Sequence, residues 1–171
     1  MKERKGLVTM KGEPLTLLGN ELKVGDVAPD CEVVGKDLNP VKLSLFRGKV
    51  CIISSLPSLD TSVCNIMTRK FNEDAAALGS DVAVLAISMD LPFAQDRWCV
   101  AADVKNVETF SDHRSGAFGE AFGVLIKDLR LLARSVFVLD RKGIIRYVEI
   151  VDELSSEPDY EAALKAAKEL V

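Results

Sequence analysis

Hydrophobic positions change their period several times along this chain, and each change marks an element. Val50–Leu56 (VCIISSL), Val82–Ser88 (VAVLAIS) and Ser135–Leu139 (SVFVL) are short runs of apolar or small residues, the pattern of strands buried on both faces. Between the first two, Val63, Ile66, Met67, Phe71, Ala75 and Leu78 recur at helical spacing and predict an amphipathic helix over Ser62–Leu78. Asp90 with Pro92 reads as the N-cap and first turn of a shorter helix through Cys99. Ser111–Phe122 reads as a further helix, and Asp159–Leu170 as a clearly amphipathic one. Toward the N-terminus, Leu15–Leu18 followed by Gly19-Asn20 predicts a hairpin, and Val41–Phe46 alternates loosely before a turn at Arg47-Gly48-Lys49. Asp140-Arg-Lys-Gly143 reads as a hairpin turn into a strand over Ile144–Ile150.

Strand, helix, strand, helix, then a hairpin and a final helix imply an α/β layer structure. The expected fold is a mixed central sheet flanked by helices with an N-terminal β-hairpin, an order compatible with a thioredoxin-like fold. No internal repeat or linker divides the chain, so its 171 residues are read as a single domain, 1–171. Hydrophobic residues make up 48% and charged residues 28%, which excludes a disordered chain. The net charge of −4, with no dense basic run, argues against nucleic acid and anionic membranes as partners. No apolar run approaches the ~18–20 residues of a membrane helix. The opening MKERKGLVTM has too short an apolar stretch for a secretory signal, so a cytoplasmic location is expected.

The cysteines narrow the chemistry. Cys31, Cys51, Cys64 and Cys99 form no CxxC pair, which argues against a structural zinc site or a thioredoxin-type dithiol. In a reducing cytosol, any disulfide would be transient and catalytic or redox-sensing. His113 is the sole histidine, so metal sites built on several imidazoles are excluded. No metal, haem, flavin or nicotinamide cofactor is implied.

The most informative stretch is Pro57-Ser-Leu-Asp-Thr61-Ser-Val-Cys64, where a buried strand hands over to the long helix. Free amides and the positive end of the helix dipole favour a thiolate in the first helical turn, and such a position lowers cysteine pKa values to ~3.5–7.5 in known cases. Pro57 stiffens the approach loop, and Thr61 is placed to cap the helix and to aim its hydroxyl at whatever the sulfur binds. On spacing alone, an inert buried cysteine beside an ordinary cap is an equally good reading.

P-x-x-x-T-x-x-C, matched by Pro57, Thr61 and Cys64, resembles the peroxidatic-cysteine motif of peroxiredoxins. The wider text PSLDTSVCNIMTRKFNE, DLPFAQDRWC, LLARSVFVLD and EPDYEAALKAAKEL resembles the bacterial thiol peroxidase subfamily, atypical two-cysteine type, across essentially the whole chain. The resemblance implies that Cys64 attacks a hydrogen peroxide or organic hydroperoxide O–O bond and becomes a sulfenic acid. Cys99 would be the resolving cysteine that forms an intramolecular disulfide with it. Arg134 would hold the thiolate and polarise the peroxide, and backbone amides near Cys64 would complete the pocket. By the same resemblance, thioredoxin is the reductant, the protein is a homodimer, and the helix ends carrying the two cysteines unwind before they join. Reduced, their Cα atoms are expected to stand outside the roughly 7 Å that a disulfide allows. One departure is Leu56, where family members usually carry a bulkier aromatic ahead of the proline; it bears on the pocket's apolar wall and on peroxide choice.

Other residues read as structural: Cys31 and Cys51 as inert, His113 as a loop residue, Trp98 as packing beside Cys99, and Asp60 as a solvated loop residue or alternative cap. Gly116, Gly119 and Gly123 read as packing and turn residues. Two other functions compete with the peroxidase. A cysteine hydrolase would use Cys64 with His113 as its base; a non-catalytic thioredoxin-fold binding protein would need neither.

Overall fold

The computed structural model describes residues 1–171. Its central sheet has seven strands in the order β11-β10-β5-β6-β7-β3-β4, and a smaller sheet has the order β1-β2-β8-β9. Strands β5 (Val50–Ser55), β6 (Val82–Ser88) and β7 (Glu108–Ser111) run parallel, while β10 (Ser135–Leu139) and β11 (Ile145–Ile150) add antiparallel strands at one edge. Strands β3 (Glu32–Val34) and β4 (Pro40–Lys42) add them at the other. The expected mixed α/β architecture is therefore the one observed.

Strand parity divides the core. Val50, Ile52, Val84, Ala86, Val136 and Val138 face one side, where α1 (Ser62–Leu78) and α4 (Tyr160–Lys168) bury Met67, Phe71, Ala163 and Ala167 against them. Trp98, Cys99 and Ala102 of α2 (Pro92–Ala102) border the same cluster. The alternate residues Cys51, Ile53, Leu85, Ile87 and Phe137 face the other side. There they meet the small sheet and α3 (Ala117–Ala121), including Val8 of β1 (Glu3–Met10), Leu17 of β2 (Glu13–Leu18), and Leu125 and Ile126 of β8 (Leu125–Ile126). Leu131–Leu132 is β9, and Phe118, Phe122 and Phe137 pack ring against ring in the same layer.

Several boundaries differ from the sequence expectations. The N-terminal hairpin turns at Lys11-Gly12, with Met10 opposite Glu13, whereas Gly19-Asn20 ends its second strand. Val41–Phe46 is split between β4 and a 3-10 turn over Leu43–Phe46, because Asp30 accepts both the Ser44 amide at 3.0 Å and the Ser44 hydroxyl at 2.9 Å. The helix expected over Ser111–Phe122 is confined to Ala117–Ala121; Ser111 ends β7, and buried Asp112 accepts the amides of Phe118 and Gly119. Asp90 is not the N-cap of α2: Leu91 holds that position and Pro92 starts the helix. Asp159 does cap α4, accepting the Ala162 amide at 3.0 Å. No helix is long and apolar enough to cross a membrane.

Glycine placement supplies a stability test. Gly123 has φ 69°, and a Cβ there would stand 2.2 Å from the Asn20 carbonyl oxygen; Gly79, which ends α1 at φ 84°, faces open space. Gly79→Ala should cost about 1–3 kcal/mol from backbone strain alone. Gly123→Ala should cost clearly more, because strain and overlap add. Chemical denaturation of the two variants measures the difference, and equal losses would contradict the packing described.

Candidate active site

The site begins with how α1 starts. Pro57 is buried directly after β5, and the chain then makes a tight turn in which the Thr61 amide donates to the Ser58 carbonyl at 3.1 Å. Thr61 stands at the N-cap with extended backbone, but its side chain makes no capping bond; the hydroxyl donates back to the Ser58 carbonyl at 3.0 Å. The capping role expected for Thr61 is thus corrected: its hydroxyl stabilises the turn ahead of the helix. The first ladder bond runs from the Asn65 amide to the Thr61 carbonyl at 3.0 Å, so the amides of Ser62, Val63 and Cys64 precede the ladder, as at any helix start.

Cys64 is the third residue of α1 and its side chain is fully buried, packed in one cluster with Leu56, Leu59 and Met67. Arg134 lies just before β10 with the parity of Val136 and Val138, which sends its side chain to the same helical side of the sheet. Although a guanidinium is rarely buried, Arg134 is only 1% exposed. Its Nη2 and Nε donate to the Leu154 carbonyl at 2.7 and 3.3 Å, and its Nη1 donates to Cys64 Sγ at 3.2 Å and to Met67 Sδ at 3.6 Å. None of the molecule's ion pairs includes Arg134.

All four cysteines are free thiols. Cys99 lies on α2, half-buried, with Sγ 3.8 Å from Thr109 Oγ1; burial raises its pKa above the ordinary thiol value. One side of Cys99 borders the core that holds Cys64, and another lines an open cleft with Asp96, Val100 and Glu108. Cys31 and Cys51 lie elsewhere: burial, with Asp112 and Asp30 nearby, pushes Cys31 up to about 12, and burial pushes Cys51 up to about 11. His113 makes no hydrogen bond to Cys64; its Nδ1 pairs with Ser111 Oγ at 2.8 Å. No group of three or more histidine, cysteine or acidic side chains is gathered that could hold a metal ion.

Arg134 and Cys64, 70 residues apart in sequence, are thus brought into contact, with Pro57 and Thr61 in the turn that precedes the cysteine. Sequence reasoning missed three participants. The Leu154 carbonyl leaves no trace in a sequence. Met67 carried one, falling one helical turn after Cys64 on the same stripe. Asp90 was visible but misassigned: its carboxylate accepts the Ser58 hydroxyl at 2.7 Å and the Leu59 amide at 2.8 Å.

A single cysteine under a buried arginine, at the head of a helix on a mixed sheet, defines a thiol-chemistry site on a thioredoxin-like scaffold. Comparison with known proteins makes the assignment specific. The Redoxin family model matches residues 23–164. The thiol peroxidase of Bacillus subtilis (strain 168) is 58% identical over 164 residues, covering 96% of this chain and 98% of that protein. A thiol peroxidase of Listeria innocua is 58% identical over 161 residues, covering 94% and 97%. Among solved structures, a peroxiredoxin-like protein from Aquifex aeolicus superposes with a TM-score of 0.91 at 42% identity, covering 100% of both chains. The chain therefore belongs to the Redoxin family, and within it to the thiol peroxidase subfamily of the peroxiredoxins.

The raised pKa values of Cys31 and Cys51 lead to a direct expectation. At pH 8 they are almost wholly protonated in the folded protein, and so poor nucleophiles. Iodoacetamide under native, reduced conditions should leave both unmodified, while unfolding should render both reactive. Peptide mass mapping reads the result; comparable native and unfolded labelling would contradict the burial assigned to them.

Proposed function

We propose that this protein is a thiol-dependent peroxidase reducing hydrogen peroxide and organic hydroperoxides, with Cys64 as the peroxidatic sulfur. The observation that carries the reading is Arg134: a buried cation with no carboxylate partner, whose Nη1 donates to Cys64 Sγ at 3.2 Å. A buried charge is costly unless compensated, and Cys64 as a thiolate would be the anion that compensates this one. The alternative hydrolase needs a base at the sulfur, and His113 is instead engaged with Ser111. A binding protein gives no reason to bury an arginine against a cysteine.

In the proposed cycle the Cys64 thiolate attacks the nearer peroxide oxygen. The S–O bond forms as the O–O bond breaks, leaving Cys64 as sulfenic acid and the departing oxygen as an alkoxide or hydroxide that takes up a proton. Arg134 and the first amides of α1 supply hydrogen bonds where negative charge develops on the peroxide oxygens. Pro57 keeps the loop rigid and withholds a competing donor, and Thr61 fixes the turn through Ser58. Cys99 then attacks the sulfenic sulfur, forming the Cys64–Cys99 disulfide and releasing water. Cys64 is fully buried and Cys99 only half-buried, so this step is expected to require the head of α1 to unwind. A dithiol protein of the thioredoxin type is the proposed reductant, returning both thiols as it becomes a disulfide itself. We further propose that the enzyme works in the cytoplasm as a homodimer.

Two measurements test this reading. After one equivalent of hydrogen peroxide, intact mass should fall by two hydrogens. Non-reducing peptide mapping should show a Cys64–Cys99 link that thioredoxin removes, and Cys64→Ser should abolish peroxide consumption. A stable oxidised Cys64 without the link would remove Cys99 as resolver, and an unreactive Cys64 would overturn the enzyme. The second measurement is pH dependence. Burial raises the Cys99 pKa, so near neutral pH only a small fraction is thiolate, and that fraction grows about tenfold per pH unit below the pKa. The rate of disulfide formation should climb from pH 6 to pH 8, and a rate that falls over this range would contradict attack by the Cys99 thiolate.

A further inference from the structure

Asp90 lies in the corner between β6 and α2, outside any contact with Cys64 or Arg134, yet it gathers bonds from two functional elements. Its Oδ1 accepts the Ser58 hydroxyl at 2.7 Å, and its Oδ2 accepts the Leu59 amide and the Ser88 hydroxyl, each at 2.8 Å. Its own carbonyl accepts the Ser111 hydroxyl at 2.5 Å. Buried Gln95, on the first turn of α2, donates to the Ser88 hydroxyl at 3.0 Å and to the Phe110 carbonyl at 2.8 Å. The corner is therefore rigidly tied to β6, β7 and α2.

Ser58 is the pivot on the other side. Its carbonyl accepts both the amide and the hydroxyl of Thr61, and its hydroxyl oxygen accepts the Asp60 amide at 3.2 Å. The loop residues Ser58 and Leu59 belong to no strand; the Leu59 side chain is buried in the core, and the Asp90 carboxylate supplies the polar tie between this turn and the sheet corner. The turn in turn decides where α1 begins, and hence where Cys64, six residues after Ser58, stands relative to Arg134.

We propose that Asp90 is a positioning residue that latches the Pro57–Thr61 turn to the root of the Cys99 helix and so holds Cys64 in its peroxide-reactive geometry. This rests on the two-cysteine peroxidase reading above. Opening the latch loosens the alignment that peroxide attack requires, and a misplacement near 1 Å is enough to cost up to a hundredfold in rate. It leaves intact, or eases, the unwinding through which Cys64 reaches Cys99. The two chemical steps therefore respond in opposite senses, which general destabilisation would not produce.

The test is a single-turnover experiment on the full chain. It follows the fluorescence of Trp98, the sole tryptophan and the neighbour of Cys99, with acid-quenched mass analysis of sulfenic, sulfinic and disulfide forms. Asp90→Ala should slow peroxide oxidation about tenfold or more, leave disulfide formation as fast or faster, and yield less sulfinic acid at excess peroxide. Asp90→Asn keeps an acceptor for the Leu59 amide and a polar partner for Ser58, and should recover most of the oxidation rate. Ser58→Ala, which removes one bond of the same latch, should shift the steps in the same senses and serves if Asp90→Ala does not fold. Wild-type oxidation in both alanine variants, or both steps slowed alike, would overturn the proposal. Failure of the wild type to form a Cys64–Cys99 disulfide would instead overturn the peroxidase reading beneath it.

Discussion

The arrangement turns on one buried guanidinium. Arg134 is held from behind by the Leu154 carbonyl and faces two sulfurs, Cys64 and Met67, with no acidic side chain paired to it. A charge removed from water in this way is stabilised only by what surrounds it, so the position of Cys64 matters to the core as well as to the proposed chemistry. The sheet supplies the constraint that makes this possible. Parity along β10 sends Arg134 to the helical side together with Val136 and Val138, and the β5–α1 connection delivers Cys64 to the same layer. Rigid elements thus set the sulfur–guanidinium distance, as an active site built for preorganisation requires.

In the proposed cycle, a peroxidatic sulfur inside the core has a consequence for the second step. Cys64 is fully buried at the head of α1, and Cys99 is half-buried on α2. The proposed Cys64–Cys99 disulfide therefore calls for local opening, and the loop-anchored head of α1 is the natural place for it. The turn ahead of it is held by a few side-chain bonds through Ser58, whereas the body of the helix is held by Phe71 and Leu78 in the apolar cluster. The fold thus combines a firmly packed scaffold with a turn held both by polar bonds through Ser58 and by the buried Leu59 side chain.

Much of this was legible in the sequence. The buried runs of β5, β6 and β10 and the apolar stripe of α1 announce themselves because nearly every residue obeys one period. The P-x-x-x-T-x-x-C motif and LLARS pointed to Cys64 and Arg134, which the fold brings into contact, because helix start and cation are both written locally. What escaped did so for physical reasons. Strand β1 (ERKGLVTM) buries only Val8 fully and has no apolar face to read. Strands β3, β8 and β9 are two or three residues long, too short to show a period. Asp90 looked like a helix cap because it stands just ahead of Pro92, a residue common in a first helical turn; only the fold reveals that its carboxylate is occupied by Ser58 and Leu59. Thr61 occupies the N-cap, but the nearby Ser58 carbonyl captures its hydroxyl.

The central claim, that a fixed Arg134 fork activates Cys64, is tested most directly by the rate of Cys64 oxidation in an Arg134→Lys variant. Lysine keeps the positive charge but cannot bind the Leu154 carbonyl and the sulfur with one planar group. The second-order rate with hydrogen peroxide, measured by stopped flow on fully reduced protein, should fall by about a hundredfold, the usual order for loss of one preorganised donor. A variant that folds with wild-type secondary structure and oxidises within a few fold of the native rate would contradict the account.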